Sequence, residues 1–306
     1  MFWAIYKNLE NEVISLSNKL HFCDKQENVY SIYISDLLIR TAVEIESLSK
    51  ELYKAAGGNM RPLDEEGNER VLMFDTDCIQ FLDKNFGITK KRVNVVCPSF
   101  YFTKKENIQL QPLKNCDKRG EGRWKKAYQA VKHDRINSLD AGNVANLIRA
   151  LASLYILNIY YRDEKYEIGT MLNTSPFDTR MGSDIFSLSL VRADKYNFNN
   201  NKFTEASDED FRSAILIQKF CDDSYKSIKV SLEQFESNAK NMFITSPKVQ
   251  QFLKVHPDYA FKGYLTFAKD VDGDSFVTEI LRGQKIIDDI NNAKIEVVLN
   301  KGKSIY

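Results

Sequence analysis

Apolar residues recur every three or four positions in the first part of the chain, first from Phe2 to about Phe22 and then from about Val29 to Ala56. This spacing is typical of amphipathic helices, which bury their apolar side. A polar stretch at 23–28 separates the two runs, and Gly57–Gly58 ends the second run with residues that accept positive φ. We therefore predict two long helices that pack antiparallel across a short connection.

The most apolar stretch of the chain runs from about Leu139 to Tyr161. It follows a basic and aromatic segment, Arg123–Arg135, which ends in Lys132-His133-Asp134-Arg135. Both stretches have helical spacing, and residues 136–138 interrupt it. The pattern predicts a second pair of helices, the later one buried on most sides. An imidazole and several cations are expected at the turn between them, with Asp134 as their local counter-charge.

Prolines and glycines divide residues 59–122 into shorter pieces. A helix is predicted at Asp75–Asn85, capped by its first or second residue, and short strands at Arg92–Cys97 and Phe100–Thr103, where β-branched and aromatic residues are frequent. We interpret 59–122 as an insertion. Without it, the four principal helices form an up-and-down bundle that spans residues 1–165.

The remaining residues, 166–306, mix helical and strand-like patterns, and we interpret them as a smaller α+β region of unknown role. The predicted elements are a strand at Ile185–Val191, a turn at 197–202, helices at Asp208–Phe243 (broken near Asp222) and Pro247–Leu253, and a hairpin at Lys262–Arg282 that turns at Asp270–Asp274. The expected fold is therefore mainly α, with mixed α/β additions.

The amino-acid composition limits the possible classes of protein but does not indicate a particular reaction. The 306 residues carry a formal net charge of +1, which argues against general polyanion binding but not against a local basic surface. The five cysteines are scattered without a CxxC pair, as in proteins of a reducing cytosol. No signal-like segment or membrane-length apolar run occurs, so we expect a soluble cytoplasmic protein without membrane contact. No metal-ligand spacing or cofactor motif is present, and neither a metal nor a cofactor is expected.

The segment Lys132–Arg135 carries the clearest chemistry. His133 is one of three histidines and the only one among clustered cations. A neutral imidazole can accept the proton of a ribose 2′-hydroxyl, and an imidazolium can donate a proton to a leaving oxygen. The adjacent cations Lys132 and Arg135 would stabilise the charge of the phosphorane-like transition state. This chemistry needs no metal.

Three segments also resemble a known family: Leu37–Lys50, Tyr128–Arg135 and Ala141–Tyr155. In their order and pattern they are similar to the HEPN domain superfamily, all-α bundles of bacterial defence and toxin–antitoxin systems. The resemblance covers at most half of the chain. It implies a four-helix bundle, a metal-independent endoribonuclease activity on RNA, a homodimer that brings two Arg/His motifs together, and a protein partner encoded in the same operon.

The chain departs from the family motif, in which an Arg precedes the His by a short interval. Nine residues separate Arg123 from His133, and Trp124 replaces the polar residue that follows the Arg. Lys126 has a suitable spacing but lacks the bidentate fork of an arginine. Arg135 follows the histidine instead. Two hypotheses stay open: His133, Arg135 and Lys132 form a reordered catalytic site, or the domain is a catalytically inactive module for RNA binding, protein binding or dimerisation.

Two further groups of residues are candidates for supporting roles. Arg123, Lys126 and Tyr128 combine cations with an aromatic face that could hold single-stranded RNA, although an aromatic at helical spacing more often packs in a core. Arg40 and Glu44 stand one helical turn apart and could form an ion pair that orients the basic turn. The alternative for this second group is a solvated helix face.

Overall fold

The computed structural model describes residues 1–194, 207–302 and Ile305, together with the backbone of 196–197 and 202–203. Most of the turn predicted at 197–202 lies outside the described residues. The helices are α1 (Phe2–Ser17), α2 (Ile32–Ala55), α3 (Gln80–Phe86), α4 (Lys105–Ile108), α5 (Arg123–His133), α6 (Val144–Arg162), α7 (Asp208–Ser213), α8 (Asp222–Thr245), α9 (Pro247–Val255), α10 (Tyr264–Leu281) and α11 (Lys285–Asn291).

The strands are β1 (Phe22–Cys23), β2 (Val93–Val95), β3 (Phe100–Tyr101), β4 (Gln109–Leu110), β5 (Tyr166–Thr170), β6 (Asn173–Thr174), β7 (Phe186–Leu188), β8 (Leu190–Arg192), β9 (Tyr196–Asn197), β10 (Lys202–Phe203), β11 (Leu216–Phe220) and β12 (Lys294–Leu299). The chain is mainly helical and carries a β-region, which confirms the coarse fold class.

The first helical pair forms largely as predicted. The side chain of Ser31 accepts a hydrogen bond from the N–H of Ile34 and so caps the start of α2. The end of α2 is followed by Gly57 at a φ of +88°. The first helix, however, ends at Ser17 and not near Phe22 as predicted. Phe22 instead lies in β1, which pairs with β3. There the wholly buried ring of Phe22 lies 4.9 Å from the ring of Phe100.

Helix α6 is the centre of the main core, where it packs against α1, α2 and α5. It is long and apolar enough to cross a membrane, but 89% of its apolar window is buried inside the fold. Arg149, in its middle, donates hydrogen bonds to the Glu106 carbonyl and the Asn107 side chain. Burial lowers the pKa of Arg149 to about 10. The helix therefore contacts protein groups on nearly all of its sides.

The start of α6 lies beside the start of α2. The N–H groups of Val144 and Ala145 donate to the carbonyls of Val29 and Glu27 at 3.0 and 2.9 Å. At the opposite end of α6, the guanidinium of Arg162 lies 4.8 Å from the ring centroid of Trp3 in α1. The contacts at the start of α6 place the α5–α6 turn next to the first turns of α2. The candidate site depends on this geometry.

The prediction of a helix at Asp208–Phe243 is wrong in the first half of that segment. The segment consists of α7, the strand β11 and α8, and α8 does begin at the predicted break at Asp222. Strand β11 is buried on both faces, since Leu216, Ile217 and Gln218 are all less than 9% exposed. It lies in a five-stranded sheet of order β6-β5-β12-β11-β8, in which only the β11–β8 pair is parallel. The sequence of a central strand is a continuous apolar run. Periodicity alone does not distinguish such a run from part of a buried helix.

The predicted strand Ile185–Val191 is two strands in different sheets. β7 pairs with β2 of the 59–122 segment in a three-stranded sheet of order β4-β2-β7, and β8 joins the five-stranded sheet. The predicted helix at Asp75–Asn85 begins as a π-helical turn at Phe74–Ile79 and continues as α3. The carboxylate of Asp75 lies 3.0 Å from the ammonium of Lys125 in α5. Residues of 59–122 thus contact elements on both sides of them in sequence.

The hairpin predicted at Lys262–Arg282 is also wrong, because this segment is helix α10. Phe267 and Ala268 before Asp272, and Phe276 and Ile280 after it, are buried at helical spacing. The Asp-Gly pair that predicted a hairpin turn instead kinks the helix. Together with residues of α8, α9 and α11, these side chains form a second core.

Candidate functional site

Helix α5 presents the basic segment because its other side is anchored in the core. Trp124, Ala127, Tyr128 and Val131 are buried, each at most 5% exposed. The helix ends at His133, since Asp134 leaves helical geometry with a φ of −144° and a ψ of 71°. Lys132, His133 and Arg135 are all exposed at this end. We call these three residues the basic corner.

Asp134 does not neutralise the basic corner, contrary to the sequence-based expectation. One oxygen of its carboxylate accepts hydrogen bonds from the backbone N–H of Asn137 at 3.2 Å and from its side-chain amide at 3.0 Å, and the other accepts from the same amide at 2.9 Å. These contacts are typical of a short turn held by an Asx side chain. Asp134 therefore shapes the α5–α6 turn.

His133 contacts one neighbour through one ring nitrogen. Its Nε2 lies 3.1 Å from Oε1 of Gln129, one helical turn earlier. An amide oxygen only accepts hydrogen bonds, so with the Gln129 amide in this orientation a neutral ring carries its proton on Nε2. The lone pair of Nδ1 then remains available, and Nδ1 has no hydrogen-bond partner among the described residues. The neutral ring is set to accept a proton at Nδ1.

The two cations of the basic corner contact different groups. Nη1 of Arg135 lies 2.9 Å from a carboxylate oxygen of Asp36 near the start of α2, and both side chains are about half exposed. The ammonium of Lys132 lies 5.3 Å from the ring centroid of Tyr128. A hydrogen bond with Tyr128, and more weakly the charge of Glu46, raise the pKa of Lys132. Both cations therefore have a partner within the chain.

Of the three residues predicted to bind substrate, one is buried in the core and two are exposed on earlier turns of α5. Tyr128 is only 2% exposed, so its ring packs in the core and offers no stacking face. Arg123 is exposed at the first position of α5, about 15 Å along the helix axis from His133 at 1.5 Å per residue. Lys126 is exposed and pairs with Glu121 at 2.8 Å.

The predicted ion pair between Arg40 and Glu44 is wrong. Arg40 instead donates two hydrogen bonds to Glu12 of α1, at 2.8 and 2.6 Å. These bonds lower the pKa of Glu12. The pair therefore joins α1 to α2 and does not orient the basic corner. Glu44 is half-buried and lines a groove of about 270 Å³ between the same two helices.

Sequence reasoning missed the two residues that hold the basic corner. Gln129 stands four positions before His133, a spacing that predicts contact on a helix and could have been read from the sequence. Asp36 is distant in sequence and reaches Arg135 only through the packing of α5 on α2. Local patterns carry no signal for such a pair.

A second polar cluster involves Ser183 and Asp184. The wholly buried carboxylate of Glu10 accepts hydrogen bonds from the Tyr6 hydroxyl at 2.7 Å, from the Ser183 hydroxyl, and from the N–H groups of Asp184 and Ile185 at 3.0 and 3.1 Å. Burial, together with the charge of Glu10, raises the pKa of Tyr6 well above its ordinary value. The cluster fastens residues 183–185 to α1. In the described part of the chain, no group of three or more His, Cys, Asp or Glu residues could hold a metal ion.

Comparisons of the chain with family models, with curated proteins and with solved structures find no match. The function is therefore argued from the geometry of the basic corner.

Proposed function

We propose that the protein is a metal-independent endoribonuclease of the anti-phage defence or toxin type, with the basic corner as its catalytic site. The observation that carries this proposal is the exposed imidazole of His133, whose Nδ1 is unpartnered among the described residues while Lys132 and Arg135 stand beside it in sequence. The mutual packing of α1, α2, α5 and α6 supports a HEPN-like up-and-down bundle. In this proposal the bundle comprises residues 1–165 and the protein acts in the cytoplasm.

The chemistry follows from the available nitrogen. Nδ1 of His133 takes the proton of a ribose 2′-hydroxyl, and the 2′-oxygen attacks the adjacent phosphorus. The bond from phosphorus to the 5′-oxygen breaks, and an imidazolium returns a proton to that oxygen. The products are a 2′,3′-cyclic phosphate and a 5′-hydroxyl. Arg135 and Lys132 stabilise the negative charge on the phosphoryl oxygens.

Arg135 must leave Asp36 to reach a phosphate. The pair is exposed on both sides, with side chains 45% and 48% exposed, and such pairs contribute about 0–1 kcal/mol. A phosphodiester that offers a bidentate, charge-assisted contact competes well with so weak a pair. The Arg135–Asp36 pair therefore positions the guanidinium without locking it.

The surroundings of the basic corner support a homodimer. Ile136, directly after Arg135, is 93% exposed, and Ile32, one turn before Asp36, is 63% exposed. Tyr30, just before α2, and Tyr33, in its first turn, are about half exposed. Exposed apolar groups near a functional site are typical of an interaction surface. A second copy covering them would bring two imidazoles together, one as base and one as acid.

A second candidate is a catalytically inactive module that binds RNA or an operon-encoded protein partner. It is favoured by the fact that both cations of the basic corner already have partners within the chain. Arg135 pairs with Asp36, and the ammonium of Lys132 lies over the ring of Tyr128. In this case the basic corner changes affinity and its salt dependence but leaves RNA intact.

An RNA degradation assay in the presence of EDTA separates the candidates. The wild type should cleave RNA, and His133→Ala should abolish cleavage without changing the circular dichroism spectrum. His256→Ala is the matched control, because His256 is also exposed but follows α9, with its ring 4.6 Å from that of Phe252. Intact RNA with the wild type, or equal cleavage by His133→Ala, would sink the nuclease proposal and leave the binding module.

A further inference from the structure

Lys91 is a buried lysine without a carboxylate partner. It follows a short 3-10 turn at Ile88–Lys90 and is 1% exposed. Its ammonium donates one hydrogen bond, to the Ala214 carbonyl at 2.9 Å, and among the described residues it has no other partner. An ammonium group has three donors, so two remain. Buried lysines without a counter-charge are rare.

Lys91 lines a cavity of about 190 Å³ between the end of α3, residues of α7 and the residues that follow β12. Three other cations, Lys84, Lys90 and Arg212, line the same cavity, and Asp83 is the single lining carboxylate. One oxygen of Asp83 already accepts hydrogen bonds from the N–H and the hydroxyl of Thr89, at 2.9 and 2.7 Å. The cavity therefore carries an excess of positive charge.

A wider groove of about 390 Å³ adjoins this cavity and shares Lys90 and Arg212 with it. Its other walls include Asp208, Glu209 and Gln111, which offer oxygen acceptors. The two carboxylates are exposed and pair loosely with cations of the same groove, Glu209 with Arg92 at 3.2 Å and Asp208 with Arg212 at 3.1 Å. The groove can therefore bind hydroxyl groups, while the inner cavity suits an anion.

We propose that the inner cavity and the adjoining groove form a binding site for a small phosphate monoester with a hydroxylated remainder. The phosphoryl group occupies the inner cavity against Lys91, Lys84 and Lys90, and the remainder lies in the groove against Asp208, Glu209 and Gln111. Lysine binds phosphate as a point charge, and a dianion supplies the counter-charge that Lys91 lacks. The inner volume is below the usual range for a whole small-molecule ligand, which is why the groove is needed.

Protonation of Lys91 gives the site a pH dependence. Burial lowers the pKa of Lys91 to about 8, with the charge of Lys90 acting in the same direction and that of Asp83 opposing it. Lys84 and Arg212 are the other cations that line the cavity. A bound dianion favours the ammonium form of Lys91. Affinity should therefore be highest near pH 7, where Lys91 is mostly protonated, and fall as the pH rises through 8.

Isothermal titration calorimetry with three probes tests the site: ribose 5-phosphate, inorganic phosphate and ribose. Ribose 5-phosphate should bind, phosphate should bind more weakly, and ribose should not bind. Lys91→Met should weaken ribose 5-phosphate binding about tenfold to a hundredfold, as expected for a charge-assisted contact. Lys90→Ala keeps the test valid if Lys91→Met fails to fold, since Lys90 is exposed, and it should also weaken binding.

Lys19→Ala is the matched control, because Lys19 is an exposed lysine directly after α1, and it should leave binding unchanged. The proposal is overturned if ribose 5-phosphate does not bind, if both cavity variants bind it like the wild type, or if inorganic phosphate binds equally well. It does not rest on the nuclease activity, since none of these measurements involves RNA.

Discussion

At the scale of the residue, the ion pair between Arg135 and Asp36 gives the sharpest test of how the basic corner acts. If Arg135 binds the scissile phosphate, Asp36 competes with RNA for its guanidinium. Asp36→Asn should then raise the rate of RNA cleavage, by up to about fivefold because an exposed pair is worth at most about 1 kcal/mol. Arg135→Ala should lower the rate by roughly a hundredfold to a thousandfold. Initial rates on a fluorescent RNA measure both changes.

Glu44→Gln is the control for this prediction. It removes a carboxylate from the same helix, and Glu44 forms no ion pair among the described residues. Its rate should equal that of the wild type. A slower Asp36→Asn variant would mean that Asp36 orients Arg135 productively and does not compete with RNA.

Lys91 gives a second prediction at this scale, about stability. Its ordinary pKa of 10.5 falls to about 8 in the fold because burial disfavours the ammonium. The unfolded chain therefore binds more protons between pH 8 and pH 10.5, and stability should rise with pH in this window. The full gain is about 3 kcal/mol. Below pH 8 the cost of burying the charge is complete.

Lys91→Met removes this titration. Its free energy of unfolding should exceed that of the wild type at pH 7 and should change less between pH 8 and pH 10. Urea denaturation at several pH values, without phosphate in the buffer, measures the difference. A wild type whose stability falls over the same window would contradict the burial of an uncompensated ammonium.

At the scale of the element, the sequence predicted the four principal helices well and the strands poorly. The helices α1, α2, α5 and α6 carry a clear apolar spacing, and α2 and α5 end at the predicted positions, just before Gly57 and at the polar turn after His133. β11 is flanked by helices and buried on both faces, so its residues Leu216–Phe220 look like part of a helix in the sequence. β12 pairs with strands distant in sequence, and no local signal announces such pairing.

The candidate site shows the same division between local and distant information. The end of α5 after Lys132 and His133 follows from the local pattern, and both residues are exposed as the chemistry requires. The burial of Tyr128 and the pairing of Arg40 with Glu12 depend on which neighbouring helix covers each face. Spacing along one helix therefore finds partners such as Gln129 but not those on other helices.

Gly273 lies in α10, which was wrongly predicted to be a hairpin, and its backbone conformation gives a prediction about stability. It has a φ of +65° and a ψ of −159° at the kink of α10, a conformation that is essentially restricted to glycine. Its surroundings leave room for a Cβ atom, so the cost of Gly273→Ala is conformational. We expect a loss of about 1–3 kcal/mol, measured by urea denaturation.

Lys269→Ala, on the exposed side of the same helix, controls for the loss of stability. Its pair with Asp274 is exposed, so the change should cost less than about 1 kcal/mol. If Gly273→Ala is as stable as the wild type, the helix can straighten through residue 273 and the kink is not required by packing.

At the scale of the whole molecule, the main core includes residues on both sides of the predicted boundary at 165. It contains Tyr6 and Leu9 of α1, and it also contains Ile215 and Phe220 of β11 or its flank. Glu10 adds a polar link, since its carboxylate binds backbone groups at 184 and 185. Residues 1–165 and the sheet should therefore unfold together, while α8–α11 have the second core.

Glu10→Ala tests this cooperativity. It leaves the Tyr6 and Ser183 hydroxyls and two backbone N–H groups without their buried acceptor, which should cost about 3–5 kcal/mol. Glu12→Ala, on the same helix, removes the partly exposed pair with Arg40 and a hydrogen bond from the exposed Tyr33, and should cost about 0–1 kcal/mol. Hydrogen exchange followed by mass spectrometry should show faster exchange in β11 and β12 as well as in α1 of Glu10→Ala. If only α1 exchanges faster, the two regions unfold independently and the boundary near 165 is a real division of the fold.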